Sequence, residues 1–126
     1  MHLLKFKSEN EYIVCRAEIF GKNHSVILKM IVDTGSSYTL LPRKTLSIIE
    51  NVNFDRIVEI TTGSRVEKVP LIILPTFKAL GFAVHHLPVI IHDLPLGSPV
   101  DGLLGINFLK KAKAIIDFSK HTIKIP

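Results

Sequence analysis

KMIVDTGSSY, residues 29–38, is the stretch on which the fold of this chain turns. An apolar run breaks into threonine, glycine and serine, and a carboxylate, Asp33, stands at the break. Upstream, Val26, Leu28, Met30 and Val32 alternate with Ile27, Lys29 and Ile31. That pattern is apolar on much of both faces and predicts a mostly buried strand. Asp33 would leave an apolar floor and enter a turn, where Gly35 lets the backbone approach closely. Backbone N–H groups there can hold the carboxylate, and the Ser36 hydroxyl can reach its outer oxygen. Taken alone, Asp-Thr-Gly is also an ordinary turn cap, so its meaning depends on the rest of the chain.

At 126 residues the chain suits a single domain spanning residues 1–126, since two separate cores would each be marginal. A hydrophobic share of 47% is ample for a packed core. No apolar run reaches the ~20 residues needed to cross a bilayer; Val69 to Pro75 is short and broken by proline. The N-terminal MHLLKFKSENEY has basic residues inside its short apolar stretch and does not read as a secretion signal. The lone cysteine, Cys15, excludes an internal disulfide and reads as a buried structural thiol. Together these features give the expectation of a cytoplasmic protein. The net charge of +5 includes late lysines at 110, 111, 113, 120 and 124. Such a basic face could attract nucleic acid, but no interleaved aromatics or nucleic-acid motif accompany it, so it reads as solvated surface. A basic nucleic-acid-binding domain is therefore the least favoured reading.

Short β-branched runs separated by turn residues predict an all-β domain. Strands are expected near 2–7, 11–20, 24–33 and 38–41, with a helical turn over 43–50 behind Pro42. Strands then follow near 56–62 and 65–74, joined by a tight turn at Thr62-Gly63-Ser64. Strands near 76–79 and 82–91 flank Gly81. Leu103-Leu104 is a short strand leading through Gly105 into a helix over 106–112, and strands near 113–118 and 121–125 close the chain. Both ends alternate apolar residues, Leu4 and Phe6 against Ile123 and Ile125, and uncovered strand edges of this kind invite pairing with another chain.

Downstream of Asp33 the chain carries Val100-Asp-Gly-Leu-Leu-Gly-Ile-Asn-Phe-Leu109. With Ile31-Val-Asp-Thr-Gly-Ser36 before it and Ala114-Ile-Ile-Asp-Phe118 after it, the sequence resembles the retropepsin-like aspartic proteases over residues 11–126. The resemblance implies a closed β-barrel of one lobe with one or two short helices. In it the Leu103-Leu104 strand threads beside the Asp33 loop, and Leu103, Leu104 and Gly105 form the floor of the site. It also implies an aspartic endopeptidase with no cofactor and no metal.

Carboxylate-driven peptide hydrolysis needs one group to take a proton from water and another to protonate the carbonyl oxygen. Two carboxyls placed together share one proton and titrate as a pair. Only one Asp-Thr-Gly is present, and Asp55, Asp93, Asp101 and Asp117 lie in no matching loop; Asp101-Gly102 is the nearest substitute. The simplest complete site is a two-fold homodimer with Asp33 from each chain on the axis, its terminal strands helping to hold it. By resemblance, Asp33 is the acid/base carboxylate, and Thr34 hydrogen-bonds across the dimer. Gly35 presents its N–H to the carboxylate and Ser36 bonds the same group. Thr61, Thr62, Gly63 and Ser64 form the flap over an extended peptide or protein substrate, whose side chains the pockets would prefer apolar. The alternative is a dimerisation or peptide-binding module of the same fold with weak or absent catalysis. His85 and His86 should point to opposite faces of a strand, an arrangement unsuited to metal binding.

Overall fold

The computed structural model describes residues 2–49 and 52–126. Among the described residues ten strands occur with two short helical segments: β1 (His2–Lys5), β2 (Val14–Phe20), β3 (Ser25–Val32), β4 (Thr39–Leu41), a 3-10 turn (Arg43–Ser47), β5 (Asn53–Thr62) and β6 (Arg65–Ala79). β7 (Phe82–Ile91), β8 (Gly102–Leu104), α1 (Ile106–Ala112), β9 (Ile115–Asp117) and β10 (Thr122–Ile125) complete the chain. Six strands close on themselves in the order β2-β3-β8-β4-β7-β6. The seam is the antiparallel pairing of Ala17, Glu18 and Ile19 with Ala79, Lys78 and Phe77. The expected all-β closed barrel is therefore present. β5 stays outside the ring and, among the described residues, pairs only with β6. No helix among the described residues is long and apolar enough to cross a membrane.

The barrel is filled by alternate residues of its strands: Ile19, Leu28, Met30, Leu74, Phe77, Leu87, Val89 and Leu104 are all but fully buried. α1 plugs it with Phe108, whose ring packs edge-on against Phe77 at 5.5 Å and against Phe82 at 6.5 Å. Each such side chain contributes roughly 1.5–3 kcal/mol on burial. Cys15 belongs to this core, and burial pushes its thiol up to about 12, so the group stays protonated and unreactive.

Several details differ from the sequence reading. β3 is buried on one face only: Leu28 and Met30 are inside while Ile27 is 57% exposed, because a strand in the wall of a ring shows its outer face to solvent. The segments expected at 65–74 and 76–79 are one strand, β6, which runs through Pro70 and Pro75. Each proline falls where one side of the strand has no partner. Pairing with β7 begins at Leu71, while pairing with β5 ends at Ile73 and that with β2 begins only at Phe77. A missing N–H costs little in such a gap. Opposite Pro75, His86 adopts a left-handed φ of 57°. The alternation breaks there, and His85 and His86 are both exposed rather than on opposite faces. No cluster of three or more His, Cys, Asp or Glu among the described residues is arranged to hold a metal.

The chain ends are covered by each other. β10 lies between β1 and β9 in a three-stranded antiparallel sheet, with Leu4 opposite Ile123 and Ile123 opposite Ile116. Its turn from β9 is tied by Asp117, whose Oδ1 accepts from the Ser119 hydroxyl at 2.6 Å and from the N–H groups of Ser119 and Lys120. These bonds, the Ser119 hydroxyl foremost, hold the Asp117 carboxyl below its ordinary range. Both ladder edges of β10 are thus used within one chain.

Candidate active site

The Asp33 loop joins β3 to β4 and is seated on β8, a strand that sequence places some sixty residues on. β8 runs parallel to β3, pairing Met30 with Gly102, Ile31 with Leu103 and Val32 with Leu104. On its other side β8 meets β4 in antiparallel sense at Leu40 and Leu103. The strand entering the loop and the strand leaving it therefore grip the same short segment. The Asp33 N–H donates to the Leu104 carbonyl at 2.9 Å, Ser36 N–H to the Asp33 carbonyl at 3.2 Å, and Ile106 N–H to the Ser36 carbonyl at 2.8 Å.

Gly105 permits this crossing. A side chain there would run into the backbone of Tyr38 and Thr39. Instead its N–H donates to the Thr39 hydroxyl at 3.1 Å. Asn107, in the first turn of α1, completes the lock: its Oδ1 accepts from the Thr39 N–H and hydroxyl, both at 3.0 Å, and its Nδ2 donates to the Pro88 carbonyl at 2.7 Å. One amide thus joins β4, β7 and α1 beneath the loop.

Asp33 is half-buried, and its Oδ1 accepts the Gly35 N–H at 2.9 Å. Ser36 does not bond this carboxylate as expected. Its hydroxyl donates to the Tyr38 carbonyl at 2.6 Å, and a hydroxyl has one proton to give. Thr34 is exposed and turned to the far side of the loop. It borders a hollow of about 240 Å³ lined by Ile106, Leu109, Ala114 and Ile116, with Lys110 and Lys113 also on its wall.

Asp33, Gly35 and Ser36 open onto a cleft of about 590 Å³. Leu40, Ile90 and Leu103 supply apolar lining; Leu104 and Gly105 are buried and do not face it, since neighbours on a strand point opposite ways. The β5–β6 hairpin adds Ile60, Thr61, Thr62, Arg65 and Glu67. Its turn is a two-residue loop between the paired Thr62 and Arg65, with Gly63 at φ 63°. Gly63 and Ser64 form the tip and do not line the cleft. The remaining lining comes from His92, Asp93, Leu94 and Pro95. An all-apolar lining is therefore not what the cleft presents. Asp101, the substitute carboxylate, lies elsewhere: it accepts the Lys29 N–H at 2.8 Å and pairs with Lys44 at 3.3 Å. Asp93 does share the cleft, but its Oδ1 is engaged by the Arg43 N–H at 2.8 Å. Among the described residues no second carboxyl is hydrogen-bonded to Asp33.

Arg65, Glu67, His92 and Asn107 are the residues sequence reasoning passed over. Asn107 alone had a local signal, as the polar residue of an otherwise apolar first turn. The others carry none, because they meet only after β5, β6 and β7 have paired.

A closed six-strand barrel with an Asp-Thr-Gly turn opening onto a cleft lined in part by the β5–β6 hairpin defines an aspartyl-protease type of architecture. Residues 16–108 match the family model described as aspartyl protease, and the chain belongs to that retropepsin-like family. A search of curated proteins returned no match.

Proposed function

We propose that the protein is an aspartic endopeptidase, active as a homodimer, in which Asp33 of each chain forms one carboxylate pair. The observation that carries this reading is the Asp33 carboxylate. It opens onto a cleft lined in part by the β5–β6 hairpin, held by Gly35 N–H, with no partner carboxyl bonded to it among the described residues. In the pair, the ionised carboxylate takes a proton from water as the oxygen attacks the peptide carbon. The protonated carboxyl gives its proton to the carbonyl oxygen, and collapse of the tetrahedral diol expels the amine, which takes up a proton. Gly35 N–H stabilises the ionised form, and Ser36 stiffens the turn through Tyr38. Leu103 and Ile60 supply apolar walls for an extended peptide. The whole chain acts as one domain, with no cofactor or metal, and the buried thiol of Cys15 suits a reducing, cytoplasmic setting.

The two-fold axis must pass beside Thr34, whose side chain makes no hydrogen bond within the chain among the described residues. The apolar hollow next to it, continuous with Ile116 of β9, is the proposed contact for the partner copy. Interleaved terminal strands are not proposed, because both edges of β10 are occupied. Deleting residues 121–126 would remove buried Ile123 and Ile125 and so test folding instead. Dilution is the cleaner experiment. Specific activity should fall in parallel with the dimer fraction measured by sedimentation on the same samples. A monomer with undiminished activity would refute the shared pair.

The hairpin tip gives a second expectation. Nothing lies within 4 Å of a Cβ built on Gly63, so the obstacle to a side chain is its φ of 63° alone. A β-branched residue in that region is strained by about 1–2 kcal/mol, which the exposed turn can relieve by deforming. Gly63→Val should lower peptide turnover roughly tenfold through poorer closure, with the melting midpoint moving by no more than about 5 °C. Normal turnover in this variant would show that the tip does not close over substrate.

A further inference from the structure

We propose that Glu67 and His92 form a clamp that positions the hairpin over the cleft; this deepens the protease reading and rests on it. Glu67 sits on β6 directly opposite Ile60 of β5, and both face the cleft. Toward the barrel, Val69 is the last residue of this face of β6 that is fully buried; the hairpin beyond it is half-buried or exposed. Among the described residues β5 has no ladder partner except β6, so backbone pairing alone does not fix how far the hairpin tip stands from Asp33.

His92 supplies the missing link. It follows the last residue of β7, and its N–H donates to the Leu41 carbonyl at 3.0 Å, which seats it on the barrel wall. Its Nε2 lies 3.0 Å from Glu67 Oε2, and the Thr62 hydroxyl lies 3.4 Å from the same oxygen. The ring nitrogen Nδ1 is buried and has no partner among the described residues. The 3.0 Å spacing suits an Nε2–H donating to the Glu67 oxygen. The two Lys/Arg–carboxylate pairs among the described residues hold nothing comparable: Asp55–Arg56 joins chain neighbours, and Lys44–Asp101 lies outside the cleft. Arg56 does reach the Tyr38 hydroxyl at 3.1 Å, but this contact is nearer the base of β5. Glu67–His92 is thus the one side-chain link among the described residues between the outer hairpin and the barrel. Both residues line the cleft that Asp33 opens onto, so substrate passes beside them.

The clamp is tested by amide hydrogen exchange on the intact protein, followed in the hairpin over residues 58–67 and, as reference, in β2 and β3. Loss of one hydrogen bond to a charged group should speed hairpin exchange roughly tenfold in both His92→Phe and Glu67→Ala, while the reference strands keep the wild-type rate. Glu67→Gln retains a carbonyl acceptor for Nε2–H and should restore most of the protection. With a peptide substrate, the first two variants should raise KM by a similar factor and change kcat by less than about twofold. Wild-type exchange in the hairpin of Glu67→Ala, or faster exchange spread equally through β2 and β3, would overturn the clamp. If the wild-type protein cleaves no peptide, the protease reading fails, yet the exchange result still decides whether the hairpin is held by this pair.

Discussion

Asp33→Asn should lower peptide cleavage by about 10³-fold or more, because it removes the only group proposed to move protons in the reaction. The substitution keeps the shape of the side chain and an oxygen that can accept the Gly35 N–H, now 2.9 Å from Asp33 Oδ1. The loop also stays tied through backbone bonds to Leu104 and Ile106. The melting midpoint should therefore stay within a few degrees of wild type. Mixing gives a sharper version of the experiment. If each site needs Asp33 from two chains, adding Asp33→Asn chains in excess should silence wild-type chains by forming mixed dimers. Activity that is simply additive in the wild-type fraction would mean that each chain works alone. Undiminished cleavage by the purified variant would remove the aspartic-protease reading altogether.

Asn107→Ala should be the most damaging single substitution for stability among those considered. Thr39 is fully buried, and the change strips the acceptor from both its N–H and its hydroxyl. The Pro88 carbonyl loses its donor at the same time. Leaving a buried polar group unpaired costs about 1–3 kcal/mol each, and relaxation recovers part of the sum, so a net loss of about 3–5 kcal/mol is expected. For a chain of this size that corresponds to a midpoint lowered by roughly 10–20 °C. Thermal and urea melts would measure it. Asn107→Asp keeps the oxygen that serves Thr39 but sets a second carboxylate oxygen against the Pro88 carbonyl, 2.7 Å from the present Nδ2, so it should not recover the wild-type melting point. A melting point within about 3 °C of wild type for Asn107→Ala would show that the amide does not hold the three elements together.

How much of this was legible in the sequence depends on how far apart the interacting residues lie. The turn at Asp33, the hairpin turn at Gly63, the helix after Gly105 and the reversal near Ser119 are each written in a few adjacent residues. A glycine that tolerates positive φ, or an aspartate that bonds the next backbone N–H groups, acts over two or three positions. Hydrophobic alternation likewise marked most strands, since the side-chain period of a strand is local. The family match over residues 16–108 takes in both the Asp33 turn and the Leu103-Leu104-Gly105 segment.

The remaining features were decided by pairing across the fold. Ile27 looked like core by its neighbours and is exposed, because closure of the barrel chose one face of β3 as the inside. Pro75 looked like a strand break and is not, because β5 and β2 leave a gap beside it. Ser36 looked free to serve Asp33, but the path of the chain at Tyr38 claims its only proton. Ile123 and Ile125 looked ready for a partner chain, and β1 and β9 took both edges of their strand. Glu67 and His92 are separated by the whole of β7 and come within 3.0 Å only when β6 folds back on it. The sequence by itself determined where the chain turns, which residues are apolar and where the acid stands. The tertiary structure alone decided which faces are buried, which edges are spent and what surrounds the acid, because those depend on partners that no local period encodes.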